Sequence, residues 1–375
     1  MALAGKSKDD ITLDFSGIDL KVGVLDAFNR RFHDIALNGT AQGGVWNSTI
    51  AGPELAGSVT WQPQGRGKLT ARFRKLVIPP PIEEATAGTT QRAADSTQDL
   101  PSLDIAADQF QIRDKQLGNL ELNAVSEERE WRIQKLRIAG PDHTLAVDGT
   151  WQTGLSQPRT QINLLLETGD IGKLLLRLGY PEGVRGGSAK LQGTLSWPGG
   201  PQDFDYPGLS GNLMLDAAKG QFVKLEPGIG KLLGILSLQA LPRRITLDFR
   251  DIFSDGFAFD EILGGINVSK GIAATDNFRI RGPAAHVVMS GEVNLAQETQ
   301  KLRVKITPSL SDGVSIAGAL IGGPVAGVAA FFAQKMLKDP LDQIASYQYD
   351  VTGTWAQPQV SKVGYLNVPE QGKAQ

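Results

Sequence analysis

The chain has 375 residues, a length that suggests two or three domains rather than one core. It carries 44 Gly and 20 Pro but no Cys and only 3 His, which excludes disulfides, thiol catalysis and Cys-ligated zinc and leaves little for a metal cluster. With 38 basic against 40 acidic side chains the net charge is -2, so no global field favours nucleic acid, and 41% apolar content is too low for a polytopic membrane protein.

The opening Met1-Ala-Leu-Ala-Gly-Lys-Ser-Lys-Asp-Asp10 has too short an apolar run for a signal peptide. Either the protein is cytoplasmic, or the chain is the C-terminal piece of a longer protein with its targeting segment elsewhere. Ile11, Leu13 and Phe15 then alternate with polar residues, the period-2 pattern of a strand with one dry face. A first strand block ends Ile50-Ala-Gly52-Pro53, followed by Gly57-Ser-Val-Thr-Trp61. After it, Pro79-Pro80-Pro81 and a stretch rich in Thr, Ala, Gln, Asp and Glu show no periodicity, so 79–101 reads as a flexible linker or as a long surface loop inserted in one sheet.

A second block ends Ile138-Ala-Gly140-Pro141 and then Gly149-Thr-Trp151; a third ends Ile280-Arg-Gly282-Pro283 and then Gly291-Glu-Val293. In both, the next marked Gly stands nine positions after the Gly of Gly-Pro, and Gly193-Thr-Leu-Ser-Trp197 and Gly353-Thr-Trp355 repeat the ending. Such loosely repeated units of strands predict a mainly β fold with a few amphipathic helices. The sheet is expected to be elongated, curved and antiparallel, leaving an open apolar groove. Asn38-Gly39, Asp148-Gly149 and Gly186-Gly187 read as joints between strands, and Trp61, Trp151, Trp197 and Trp355 as apolar anchors at strand ends.

Between and after these blocks, Ile162, Leu164 and Leu166, Leu247 and Phe249, Phe257 and Phe259, and Leu302, Val304 and Ile306 alternate with polar neighbours; these ten are the candidate lining of the dry face. Three helices are predicted, near 170–179, 228–241 and 314–338. The first presents Leu174 and Leu175 and is stopped by Gly179 and Pro181; the second presents Leu232 and Leu236 and stops at Pro242. Both are too short to span a bilayer, and each either caps a sheet end or lies on headgroups. The third contains 21 uncharged residues, 313–333, including Ile316, Leu320, Val325, Phe331 and Phe332, interrupted by Gly322-Gly323-Pro324. It packs on the sheet face, lies at or partly in a membrane, or spans one.

Chemistry-bearing patterns are sparse. No phosphate loop or dinucleotide fingerprint occurs. His143 and His286 each follow a Gly-Pro joint and are expected in related structural loops. Asp203 and Asp205 would share one face if extended, a conceivable carboxylate pair, but no base or metal ligand stands nearby. No cofactor, no metal and no catalytic residue is expected.

Several long stretches agree, in order, with one family. They are Tyr180-Pro-Glu-Gly-Val-Arg-Gly-Gly187, Leu195 through Gly211, Gly220 through Gln239, Leu241 through Phe249, Pro308-Ser-Leu-Ser-Asp312 and Tyr349 through Trp355. The chain resembles the C-terminal part of YhdP-type proteins, within the AsmA-like superfamily that includes TamB. The likeness covers most of 100–360, and 1–78 resembles the preceding repeat. It implies a non-catalytic envelope protein, periplasmic and anchored in the inner membrane in its full-length form. Its C-terminal end would point toward the outer membrane, and its groove would carry phospholipid acyl chains between the two. The expected partners are therefore those acyl chains, the membrane surface and envelope proteins; the alternative is a scaffold module with a sealed core. The expected organisation is a β repeat block over 1–78, the linker or loop 79–101, a groove region over 102–360 and a tail over 361–375.

Overall fold

A computed structural model describes residues 16–27, 29–82, 100–180, 183–223, 256–308 and 346–365. The chain forms two compact units, Met1–Ser126 and Glu127–Gln375. The predicted helices near 228–241 and 314–338, and the strand stretches at 11–15 and 245–249, lie outside the described residues.

The first unit contains β1 (Gly17–Ala27), β2 (Arg30–Gln42), β3 (Val45–Ala51), β4 (Leu55–Gln62), β5 (Lys68–Ile78), β6 (Ser102–Ile112) and β7 (Lys115–Ser126). Each strand pairs with its predecessor, and every pairing is antiparallel but one: β5 and β6 run parallel, Lys68 opposite Ser102 and Ile78 opposite Ile112. A parallel neighbour needs a crossover instead of a hairpin. The stretch 79–101 therefore connects two adjacent strands of one sheet.

The second unit contains β8 (Glu130–Ala139), β9 (His143–Gln152), β10 (Arg159–Thr168), α1 (Ile171–Arg177), β11 (Val184–Pro198) and β12 (Ser210–Phe222). It continues with β13 (Phe257–Ser269), β14 (Ile272–Arg281), β15 (Ala285–Asn294), β16 (Thr299–Pro308), β17 (Tyr347–Thr354) and β18 (Pro358–Tyr365). All ten successive pairings, β8 with β9 through β17 with β18, are antiparallel. β18 runs past residue 360 into the stretch that the sequence sets apart as a tail. Within each unit the first and last strands do not pair with each other among the described residues, so neither sheet closes on itself.

Alternation makes one face of each sheet apolar. In the first unit, Leu20, Leu37, Ile50, Gly57, Phe73, Ala107 and Leu120 stand opposite one another in turn across β1 to β7. In β16 the even positions Leu302, Val304 and Ile306 are 1–4% exposed, while Lys301, Arg303 and Lys305 face water.

The glycines that mark the repeats are not joints. Gly39, Gly149, Gly186 and Gly187 all lie inside strands. At Gly57, Gly149, Gly193 and Gly291 a Cβ would stand 2.0–2.3 Å from a carbonyl oxygen of the neighbouring strand. Gly211 of β12 shows the cause plainly: its φ is +146°, and a Cβ there would lie 2.0 Å from the Thr194 oxygen of β11. An interior strand glycine of this kind lets adjacent backbones approach and bend where no side chain fits. A strand-interior Gly and a turn Gly look alike in sequence, so the pattern alone does not tell a joint from a close strand approach. The tryptophans do sit near strand ends: Trp46 opposes Trp61, Trp131 opposes Trp151, and Thr160 links Trp151 to Trp197 across β10. Trp131, Trp151 and Trp197 are buried, and Trp197 Nε1 donates to the Gly200 carbonyl at 2.9 Å.

Candidate functional site

The register of the second unit brings every described lining candidate to one face. Four transverse rows cross it. Leu145, Leu166, Leu191, Leu215 and Gly264 form one; Val147, Leu164, Gly193, Leu213 and Ile266 form the next; Gly149, Ile162, Leu195, Gly211 and Val268 form the third. The fourth runs His143, Thr168, Ala189, Ala217, Ile262, Ile280, Val287, Ile306 and Tyr347. Directly opposed residues in an antiparallel pair share a face, so Ile162, Leu164 and Leu166 of β10 lie on the same side as Leu302, Val304 and Ile306 of β16. Phe257 and Phe259 extend that side on β13, where both pack with Phe222 at ring-centroid distances of 6.4 and 5.0 Å.

Burial divides this face in two. Across β13 to β17, Phe259, Ile280, Val287, Met289, Val304, Ile306 and Tyr349 form one sealed cluster, none more than 2% exposed. Across β10 to β12, Ile162, Leu164, Leu166, Leu191, Leu195, Leu213 and Leu215 are only half-buried. The last four were not singled out in the sequence, although Leu191 and Leu195 flank Gly193 at alternate positions and Leu213 and Leu215 alternate with Met214 and Asp216.

Helix α1 stands in the β10 to β11 connection. The Asp170 side chain caps it by accepting from the Lys173 N–H at 3.0 Å. That hydrogen bond holds the Asp170 carboxyl below the usual carboxylate range, against the opposing effect of burial. Gly179, at φ +90°, ends the helix: its N–H donates to Leu176 O and the Tyr180 N–H to Leu175 O. Leu174 is buried, and Ile171 and Leu175 pack on the sealed cluster, so this helix covers part of the apolar face, while Leu176 stays 62% exposed. The other candidate contact residues, Leu232, Leu236, Ile316, Leu320, Val325, Phe331 and Phe332, lie outside the described residues, as do Leu247 and Phe249.

A polar cleft of about 770 Å³ opens at the strand ends beside α1, lined among others by Asp142, His143, Thr168, Asp170, Lys173 and Arg177. Arg177 donates from both Nη2 (2.7 Å) and Nε (3.1 Å) to one oxygen of Asp142, Oδ1. Asp142 Oδ2 and His143 Nδ1 are buried without a hydrogen-bond partner, in side chains that are 6% and 4% exposed. Sequence reasoning passed over Asp142 and Arg177 because 35 residues separate them; the surviving signal was an acidic residue in a Gly-Pro-Asp-His turn. His143 and His286 are not equivalent. His143 opens β9 on the apolar face, whereas His286 is exposed on the opposite face of β15.

The conceivable carboxylate pair resolves into two turn contacts: Asp203 accepts from the Gly200 N–H at 2.7 Å and Asp205 from the Gly208 N–H at 3.0 Å. Among the described residues no group of three His, Asp or Glu could hold a metal ion, and no helix is long and apolar enough to cross a membrane.

Comparison with known proteins returns one family. The family described as "YhdP protein" matches residues 4–360. The intermembrane phospholipid transporter YhdP of Escherichia coli (strain K12) is 30% identical over 232 residues, which is 62% of this chain and 18% of that protein. The chain thus spans less than a fifth of the length of this relative. No solved structure matches.

Proposed function

Because this chain belongs to the YhdP family, we propose that it is the C-terminal part of a periplasmic, inner-membrane-anchored protein. Its apolar sheet face conducts phospholipid between the inner and outer membranes without chemical change. The observation that carries the proposal is the half-buried band of Ile and Leu on β10 to β12, which spans three rows with Gly193 and Gly211 as its two gaps. An acyl chain laid on this band removes methylenes from water, each worth about 0.8 kcal/mol. Each of the three rows keeps at least two Ile or Leu side chains on β10 to β12, so displacement from row to row leaves most of that burial in place. The reverse side is mixed: Asn163 hydrogen-bonds Asp148 at 2.9 Å and Thr194 at 2.9 Å there, beside a row that holds Leu165, Gln192 and Met214.

A photoreactive amino acid placed at Leu164, within a cell envelope preparation, is expected to form a phospholipid adduct. The same probe at Asn163, one residue away on the other face, is expected to form none. Equal labelling at the two positions, or none at Leu164, refutes the proposal. A second role is favoured by the sealed cluster of β13 to β17: Val287, Met289, Val304 and Ile306 have no more than 1% exposure. This half serves as a structural block that holds the conducting half in register and offers a surface for envelope partners.

A further inference from the structure

We propose that the cleft beside α1 reads the headgroup of the carried lipid, and that it selects a zwitterionic headgroup with a primary ammonium. This rests on the lipid-carrying reading above. The cleft lies where that face ends, since His143 and Thr168 oppose each other in the row next to Leu145 and Leu166. A headgroup there has its acyl chains on the leucine band.

The chemistry follows from what is satisfied and what is not. Arg177 places two N–H groups on Asp142 Oδ1 and leaves Oδ2 buried without a donor. A buried carboxylate oxygen without a donor is costly, so the site favours a ligand that brings N–H groups. His143 Nδ1 lies 3.9 Å from Asp142 Oδ1, too far for a hydrogen bond, and also lacks a partner. As the Nε2–H tautomer its Nδ1 accepts. One primary ammonium, with three N–H groups, serves both atoms. A trimethylammonium has no N–H to give, and a glycerol headgroup brings no positive charge. Lys173 and Arg177, one turn apart on α1, supply positive charge for the phosphate that adjoins such an ammonium. The Lys173 side chain is largely exposed and is paired with Asp170 at 3.3 Å.

The test uses the full chain, incubated with vesicles of equal parts phosphatidylethanolamine, phosphatidylcholine and phosphatidylglycerol with identical acyl chains, then reisolated for mass spectrometry of bound lipid. Phosphatidylethanolamine is expected to be enriched about tenfold over the other two, equivalent to about 1.4 kcal/mol, and Asp142→Asn is expected to erase the preference while total lipid persists. Where Asp142→Asn fails to fold by circular dichroism, competition on the wild-type chain takes its place. Soluble glycerophosphoethanolamine should lower the phosphatidylethanolamine share and glycerophosphocholine should not. Equal uptake of the three lipids, or equal competition by the two soluble compounds, overturns the headgroup proposal and leaves the lipid-carrying reading standing. Uptake of none of them overturns both. Binding of glycerophosphoethanolamine without uptake of any phosphatidylethanolamine identifies a free headgroup as the ligand and overturns the lipid assignment.

Discussion

Replacing Gly211 by alanine puts a methyl group where two strands meet. The new Cβ would stand 2.0 Å from Thr194 O, 2.9 Å from Leu195 Cα and 3.0 Å from Thr194 C, all backbone atoms of β11 that no rotamer change can move. Ordinary C···O contacts begin at about 3.3 Å, so β11 and β12 must separate by more than an ångström or Gly211 must leave φ +146°. Strain in a φ region that L residues avoid costs about 1–3 kcal/mol, and overpacking typically adds about 1–3 kcal/mol, giving a loss of about 2–6 kcal/mol. With a urea m-value of about 3 kcal/mol per molar, that is a fall of about 0.7–2 M in the unfolding midpoint, followed by tryptophan fluorescence because Trp197 lies on β11. Gly169→Ala is the control: nothing lies within 4 Å of a Cβ there, and its effect is expected within about 0.5 kcal/mol. If the two variants melt together, the repeat glycines are mere spacers and close strand approach does not require them.

Three further outcomes are expected. Val304→Ala, at 1% exposure in the sealed cluster, should cost about 2 kcal/mol from lost transfer and cavity terms, and Leu164→Ala on the half-buried band about half as much; denaturation midpoints that rank the other way refute the division of the face. Leu166→Glu adds a charge to the conducting band and should lower co-purified phospholipid severalfold with little change in far-UV circular dichroism; undiminished lipid argues against passage there. Asp170 has a depressed carboxyl, so its capping contribution is present above the ordinary carboxylate pKa and is lost as pH falls through its lower folded value. Asp170→Asn keeps the cap without the titration, so the stability difference between the two proteins should change only on the acid side; a constant offset down to pH 2 contradicts the assignment.

Period-2 alternation was enough to find β16 and to decide which side of it is dry, because Lys301, Arg303 and Lys305 cannot be buried alongside Leu302, Val304 and Ile306. In β10 the same alternation sets Ile162, Leu164 and Leu166 on one face. What alternation lacks is partner identity. Leu191 and Leu215 enter the same row as Leu166 only through the register of three strands, and the parallel β5–β6 step leaves no local trace in either strand. The cleft was illegible for a related reason: it depends on Asp142 and Arg177 meeting around a turn and a helix end. The role of the marker glycines also required coordinates, since the atom that forbids a side chain at Gly211 belongs to a different strand.

The strand-after-strand order has a consequence for how the chain acquires its structure. In the hairpins of each unit, a strand's ladder partner is the segment made just before it, so pairing can proceed as the chain emerges, with short loops to close. The steps that join β5 to β6, β12 to β13 and β16 to β17 enclose longer stretches. Each doubling of loop length adds only about 0.6 kcal/mol of closure entropy, but such pairings lengthen the search. These three junctions are where assembly should pause with an unpaired strand edge exposed, and where a chaperone would have most to protect.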